Sequence, residues 1–396
     1  MPRRADVERA WHYLDHAATT PLRPEALAAM VPALRDGVGN PSGAHVLARR
    51  ARAALDGARE QLAEVVGCQP GEIVFTSGGT EADNLAVRGV LGASSRGTVV
   101  CSAIEHHAVL HPVTSAGGRV VPVDRHGVID LGALASSLDE DVALVSVMLV
   151  NNETGTIQPL AAIADVIHER APGALLHTDA AQALCWLDVR EAAAAADLVT
   201  LASHKCGGPV GTGALVIRAG ATIEPQQLGG GQERDRRSGT QDVAGALGFA
   251  AAAMAADRER TALVARAARW RDELVSTVLA GVPGAVESAV PPGTARHHLI
   301  GGMVNVCLPA VDSEALLFVL EQDHRVLASA ASSCASGAQE PSHVLAALGI
   351  ERSLAVGSLR LSLGWSSTDD DVAAAKAGVP VAARRLQEHA RDGAPA

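Results

Sequence analysis

Hydrophobic and polar positions follow two rhythms along this chain. In HVLARRARAALDGAREQLAEVVG the apolar residues Leu47, Ala51, Ala54, Leu55, Ala58, Leu62, Val65 and Val66 recur at three- and four-residue spacing, one stripe of an amphipathic helix. From about residue 44 to 220 such segments, AAIADVIHER among them, are interleaved with short β-rich runs: EIVFT, TVVCSA, RVVPV, ALVSVMLV, ALLHTDA, DLVTLAS and GALVIR. These runs are nearly continuous in apolar residues. Strands that hide both faces belong in a mostly parallel sheet with helices on each side, so this stretch predicts a large α/β domain.

After about residue 262 the rhythm changes. A long charged helix, ARAARWRDELVSTVLAG, leads to strand MVNVCLP, helix SEALLFVLEQ, strand-like RVLASA and strand SLRLSLG. A last helix starts at Thr368, a good N-cap, with Asp369, Asp370 and Asp371 in its first turn facing the positive end of the helix dipole. The expected division is a large domain over residues 17–262 and a smaller α+β domain built from 1–16 and 263–396.

Composition narrows the function classes. Hydrophobic residues make up 48% of the chain but aromatics only 2%, so the core is aliphatic and suits helices packed on a sheet. The net charge of −11 argues against direct binding of nucleic acid or an anionic membrane, both of which need clustered cations. Arg49, Arg50 and Arg52 are read as a solvated helix face. No apolar run approaches the ~20 residues of a membrane helix, and the opening MPRRADVERAWHYLD lacks the apolar stretch of a secretory signal. Six cysteines without a CxxC pair fit a reducing compartment, so a cytoplasmic protein is expected.

Four features carry chemistry. In EIVFTSGGTEADNLAVRG a strand runs through the small-residue turn Ser77, Gly78, Gly79, Thr80 into a helix, a cradle for a phosphate or simply a helix start capped by Thr80. Neither GxxxxGK nor GxGxxG is present. In LLHTDAAQ, Asp179 ends a buried strand, either as a helix N-cap or to hold a pyridine nitrogen protonated. In DLVTLASHKCGGPVGTGALVIR, Lys205 lies between a strand and a glycine turn. Burial there lowers the amine's pKa and favours a Schiff base. In ASAASSCASGAQEP every residue from 328 to 337 is small and Cys334 is the single thiol, which predicts a weakly anchored segment that displays a nucleophile. A carbonyl-accepting lysine, an acid for a ring nitrogen and a phosphate cradle are the parts of a pyridoxal 5'-phosphate (PLP) site, the acid keeping the ring an electron sink.

The blocks YLDHAATTPLRPEAL, GNPSGAH, VFTSGGTEADNLA, SAIEHHAVL, VNNETGTIQP, HTDAAQ, SHKCGGPVGTGAL, GGGQERDRRSGT, SSCASGAQEPS and LRLSLG occur in that order. As an ordered set over Tyr13 to Gly364 they resemble the NifS/IscS-type cysteine desulfurases, a branch of the class V aminotransferases in fold type I of the PLP-dependent enzymes. The resemblance implies PLP on Lys205, with His204 beside the phosphate and Gly79 and Thr80 holding it. Thr240 would reach the phosphate from the partner subunit of a homodimer. Asp179 would pair with the ring nitrogen, Gln182 and Asn152 would bond the phenolic oxygen or substrate region, and His106 would lie over the ring. Arg360 would clamp the substrate carboxylate, helped by Asn40. L-Cysteine would become L-alanine, its sulfur passing to Cys334 as a persulfide and on to an acceptor protein of iron–sulfur assembly, tRNA thiolation or DNA sulfur modification. His106 is the candidate to deprotonate the incoming thiol.

Two departures stand out. The serine expected to bind phosphate is displaced to Ser203, and Gln232 stands where a histidine is common. The rival readings are a selenocysteine lyase or another class V reaction on the same scaffold, and a non-catalytic sulfur-delivery scaffold. Cys334 disfavours a plain aminotransferase, and the presence of both lysine and thiol disfavours the scaffold.

Overall fold

The structure is a computed structural model that describes residues 11–330 and 342–392. Strand β1 (His12–Tyr13) comes first. The main sheet then takes β2 (Ile73–Thr76), β3 (Thr98–Ser102), β4 (Arg119–Val121), β5 (Val142–Ser146), β6 (Leu175–Asp179), β7 (Leu198–Ala202) and β8 (Gly213–Ile217), in the order β2-β8-β7-β6-β5-β3-β4. These are the seven runs read from the sequence, and β2, β5, β7 and β8 are buried at every position.

Strands β3 to β7 are parallel, but β8 is antiparallel to both neighbours. The cause is local. Residues 203–212 are too few for a helical crossover, which takes a dozen or more, so the chain turns back beside β7. The turn that carries Lys205 is therefore a tight reversal.

Helices α1 (Pro24–Asp36), α2 (Val46–Val66), α3 (Gly79–Ala93), α4 (His107–Ser115) and α5 (Leu160–Arg170) fill the first half, followed by α6 (Val243–Gly281). In α2 the expected stripe is buried at Ala51, Leu55, Ala58, Leu62, Val65 and Val66, whereas Leu47 faces out; Gly67 ends the helix in the left-handed conformation at φ 72°. Helix α6 runs unbroken through residue 262 and packs along α1 and α2. Its alanines and glycines permit the close approach: a Cβ on Gly248 would sit 2.6 Å from Met30 Sδ.

Beyond α6, strands β9 (Val286–Glu287), β10 (Met303–Cys307) and β12 (Ser358–Ser362) form an antiparallel sheet in the order β12-β10-β9. Strand β11 (Val326–Leu327) pairs in parallel with β1. Helices α7 (Ser313–His324), α8 (His343–Ala347) and α9 (Asp369–Asp392) complete this part. Thr368 and Asp371 cap α9 reciprocally, the Thr368 N–H donating to Asp371 Oδ2 at 2.9 Å and the Asp371 N–H to Thr368 Oγ1 at 3.3 Å. Open α/β sheets bind their ligands beyond the carboxyl ends of the parallel strands, and here those ends face a cavity.

Candidate active site

Each strand end contributes a wall. Gly79, Thr80 and Asp83 follow β2, His106 follows β3, and Met148, Val150 and Asn152 follow β5. Asp179, Ala181 and Gln182 come from β6, and Ala202, His204 and Lys205 from β7. Ala17, Ala18 and Arg360 close a cavity of about 380 Å³. Nine of the sequence-predicted residues thus line one pocket: Gly79, Thr80, His106, Asn152, Asp179, Gln182, His204, Lys205 and Arg360.

Lys205 Nζ donates to the carbonyl of Ala17 and, at 2.9 Å, to that of Ala18. Burial, then the nearby Arg360 charge, lowers its pKa to about 8, which raises the neutral-amine fraction near physiological pH. Asp179 ends β6 with Oδ1 accepting the Ala181 N–H at 2.9 Å. Burial raises its carboxyl pKa, and Lys205 and His106 oppose the rise. A buried carboxyl of this kind stays ionised only beside a cation, the demand a protonated ring nitrogen would meet.

His106 is the N-cap of α4, where Nδ1 accepts the Ala108 N–H at 3.2 Å. Burial keeps the ring neutral by lowering its pKa. With Nδ1 occupied as acceptor, the proton of the neutral ring sits on Nε2, so His106 offers the cavity a donor rather than a free base. His204 meets Thr19 Oγ1 through Nδ1 at 3.1 Å, and burial and Lys205 hold it neutral with a pKa of about 4.

The residues fit a phosphorylated aromatic aldehyde. Helix α3 begins after Gly78 with no side-chain cap, leaving its N-terminus open to an anion. A Cβ on Gly79 would meet only ordinary contacts, the nearest at 3.5 Å, so packing does not require glycine there. Thr80 lies within the first helical turn and is not the cap.

Arg360 is buried in β12, with Nη1 donating to the Asn152 carbonyl at 3.0 Å and Nη2 to Asp15 Oδ1 at 2.8 Å; its Nε has no hydrogen-bond partner. A guanidinium with a spare N–H is suited to a carboxylate. Gln182 Nε2 donates to the Ala17 carbonyl at 2.8 Å.

Four expected residues stand apart. Ser203 is buried behind the wall with Oγ unpartnered. Asn40 is exposed and accepts the Ser42 N–H in its own turn. Thr240 is exposed. Cys334 lies outside the described residues.

The block that carries Thr240 holds three consecutive left-handed residues, Glu233, Arg234 and Asp235, at φ 49°, 58° and 62°. Such strain persists only when the surroundings over-determine it. Here buried Glu233 receives both terminal nitrogens of buried Arg59 at 2.8 Å, along with the Phe75 N–H at 2.9 Å. Sequence reading missed this pair, because Arg59 sits within a helix among other exposed charges. It also missed Asp15 and Asp83. Asp83 is buried on α3 with Oδ1 accepting no hydrogen bond and lying 3.7 Å from His177 Nε2, its carboxyl pKa raised by burial and by Asp179. Their signal was position within motif blocks already singled out.

Among the described residues no group of three or more His, Cys, Asp and Glu is placed to hold a metal ion, and no helix is long and apolar enough to cross a membrane.

The sequence profile of the class-V aminotransferases matches residues 12–374. An IscS-like cysteine desulfurase of Mycobacterium tuberculosis is 41% identical, over 96% of this chain and 98% of that protein. Among solved structures, a NifS-like protein superimposes with a TM-score of 0.85 at 31% identity, covering 96% of this chain and all of that one. SspA in complex with cysteine gives a TM-score of 0.75 at 30% identity, covering 89% of this chain and 98% of the other.

Proposed function

The chain belongs to the class-V aminotransferase family, and within it to the IscS-type cysteine desulfurases, and on that premise we infer how its own residues divide the work. It is a PLP-dependent cysteine desulfurase that converts L-cysteine to L-alanine. One observation carries the assignment of roles: Lys205, Asp179 and Arg360 line a single cavity.

When bound, PLP supplies an electron sink that acidifies the substrate Cα–H and loosens the Cβ–S bond. Lys205 would tether it, Asp179 would hold its ring nitrogen protonated, and the N-terminus of α3 with His204 would take its phosphate. Gln182 and Asn152 would bond the phenolic oxygen or the substrate. Arg360 binds the substrate carboxylate, with Asp15 yielding its place on the guanidinium. The Lys205 amine would take the Cα proton and later return it. His106 donates from Nε2 toward the substrate sulfur, which favours its thiolate.

Cys334 receives the sulfur. In that step the substrate C–S bond breaks and an S–S bond forms, so cysteine and the enzyme thiol become alanine and an enzyme persulfide, with no external oxidant. Tether length supports this role. Ser329 exchanges backbone hydrogen bonds with Arg360 at 2.8 and 3.2 Å, and the five residue steps from 329 to 334 can span at most ~18 Å.

The working unit is a homodimer. Leu27, Val31, Leu34 and Val38 form an exposed apolar stripe on and just beyond α1, with Leu34 68% and Val38 73% accessible. Thr240 and Asn40 face solvent rather than their own cavity. A second copy seated on this surface would cover the stripe and bring Thr240 to the neighbouring phosphate. The described cysteines are all free, which supports a cytoplasmic setting, and the persulfide passes to a separate acceptor protein.

The test is incubation with L-cysteine, with and without reductant. Alanine and sulfide should form equally under reduction, and mass mapping should find the persulfide on Cys334. Pyruvate as the carbon product would overturn the reading in favour of a lyase.

A further inference from the structure

Two motif blocks contain residues that the proposed chemistry leaves unused. Glu153 lies in VNNETGTIQP, and Ser342 closes SSCASGAQEPS. The fold joins them across 189 positions by one hydrogen bond, from Ser342 Oγ–H to Glu153 Oε2. We propose that Glu153 is a positioning residue for the sulfur-accepting thiol, fixing the point where the chain re-enters the fold after Cys334 in the same frame that holds Arg360. This rests on the reading of Cys334 as the acceptor.

The geometry is continuous. Ser342 caps α8, accepting the N–H groups of Val344 and Leu345 at 3.0 and 3.3 Å, so its position sets the start of that helix. Glu153 is itself held, its N–H donating to Asn151 Oδ1 at 2.9 Å and its carbonyl accepting from Asn305 Nδ2 at 3.2 Å. One residue earlier, the Asn152 carbonyl accepts from Arg360. His343 meets the Glu105 carbonyl through Nε2 at 2.9 Å, next to His106. At the other root, Ser329 pairs with the backbone of Arg360. Both roots of the segment bearing Cys334 are thus referenced to the residue that binds the substrate carboxylate.

A buried carboxyl is an expensive way to fill space. Burial raises that of Glu153 to a pKa of about 7 despite Ser342 and Arg360. Among the described residues its one side-chain hydrogen bond is the one it accepts from Ser342, which needs an acceptor oxygen at that point. Ser342 is one end of the tether that carries the acceptor thiol, and releasing the end of a tether lowers the effective concentration of the group it carries.

The experiment uses the holoenzyme and the variants Glu153→Gln, Glu153→Ala, Ser342→Ala and the double alanine variant. Two quantities are read: the single-turnover rate of persulfide formation on Cys334 by mass, and the cysteine concentration that half-saturates the change in the cofactor's visible absorbance. Both single alanine variants should slow persulfide formation on the order of tenfold, and the double variant should be no slower than either. Half-saturation should stay within about twofold, and Glu153→Gln should recover most of the rate because its amide oxygen still accepts from Ser342. Equal losses in binding and transfer, or additive losses in the double variant, would refute the proposal. So would unchanged rates in the alanine variants. A wild-type enzyme that forms no persulfide on Cys334 would overturn the underlying reading as well, an outcome visible before any variant is made.

Discussion

Replacing Lys205 by methionine should stabilise the cofactor-free protein at neutral pH, and the gain should disappear as the solution becomes alkaline. The lysine pKa falls from 10.5 to about 8, mainly through burial and then through Arg360. That drop corresponds to ~3 kcal/mol of unfavourable free energy for the protonated form. The cavity is open to water, so screening brings the working figure to ~2 kcal/mol. Against it stand the bonds to the Ala17 and Ala18 carbonyls, together ~1 kcal/mol and nearly independent of pH. Below pH 8 the lysine is protonated both folded and unfolded, and the full penalty applies. From pH 8 to 10.5 the folded protein releases the proton while the unfolded chain keeps it, so wild-type stability rises relative to the variant. The variant should therefore be ~1 kcal/mol more stable at pH 7 and ~1 kcal/mol less stable above pH 10.5. Urea unfolding of both apoproteins across that range measures the difference, groups remote from Lys205 titrating alike in the two proteins. A difference flat in pH would refute the reasoning, because lost hydrogen bonds alone produce no slope.

Two more predictions address the elements around the cavity. Glu233→Ala leaves Arg59 buried without its partner and releases the strained turn, so chemical denaturation should show a loss of ~3–5 kcal/mol; replacing both residues by apolar ones should recover much of it. Leu34→Asp places a charge in the centre of the α1 stripe and should shift the protein toward monomer in sedimentation experiments while weakening PLP retention; a variant that stays dimeric would remove this face from the interface.

The strand runs were legible in the sequence because burial on both faces leaves a local signature, an apolar run bounded by small residues. All seven runs of the main sheet form, and the α9 cap forms as Thr368 and the following aspartates predicted. The antiparallel placement of β8 was less visible, since direction depends on how few residues join it to β7 and not on its own composition. Helix α6 shows its charged second half in the sequence, whereas the packing of its Ala-rich first half along α1 and α2 is set only by the fold.

For the site, local sequence determined which chemistry each residue type could perform: an amine at 205, an acid at 179, a guanidinium at 360 and an imidazole at 106. Tertiary structure decided how each would be used. The capping bond of His106 sets its tautomer, and burial beside Arg360 sets the basicity of Lys205. The fold leaves Thr240 and Asn40 exposed, away from the cavity that the other residues line. Residue identity is a property of the chain at one point. A proton's location, a pKa and a hydrogen bond across 189 residues depend on what the fold brings alongside, and no window of sequence contains that.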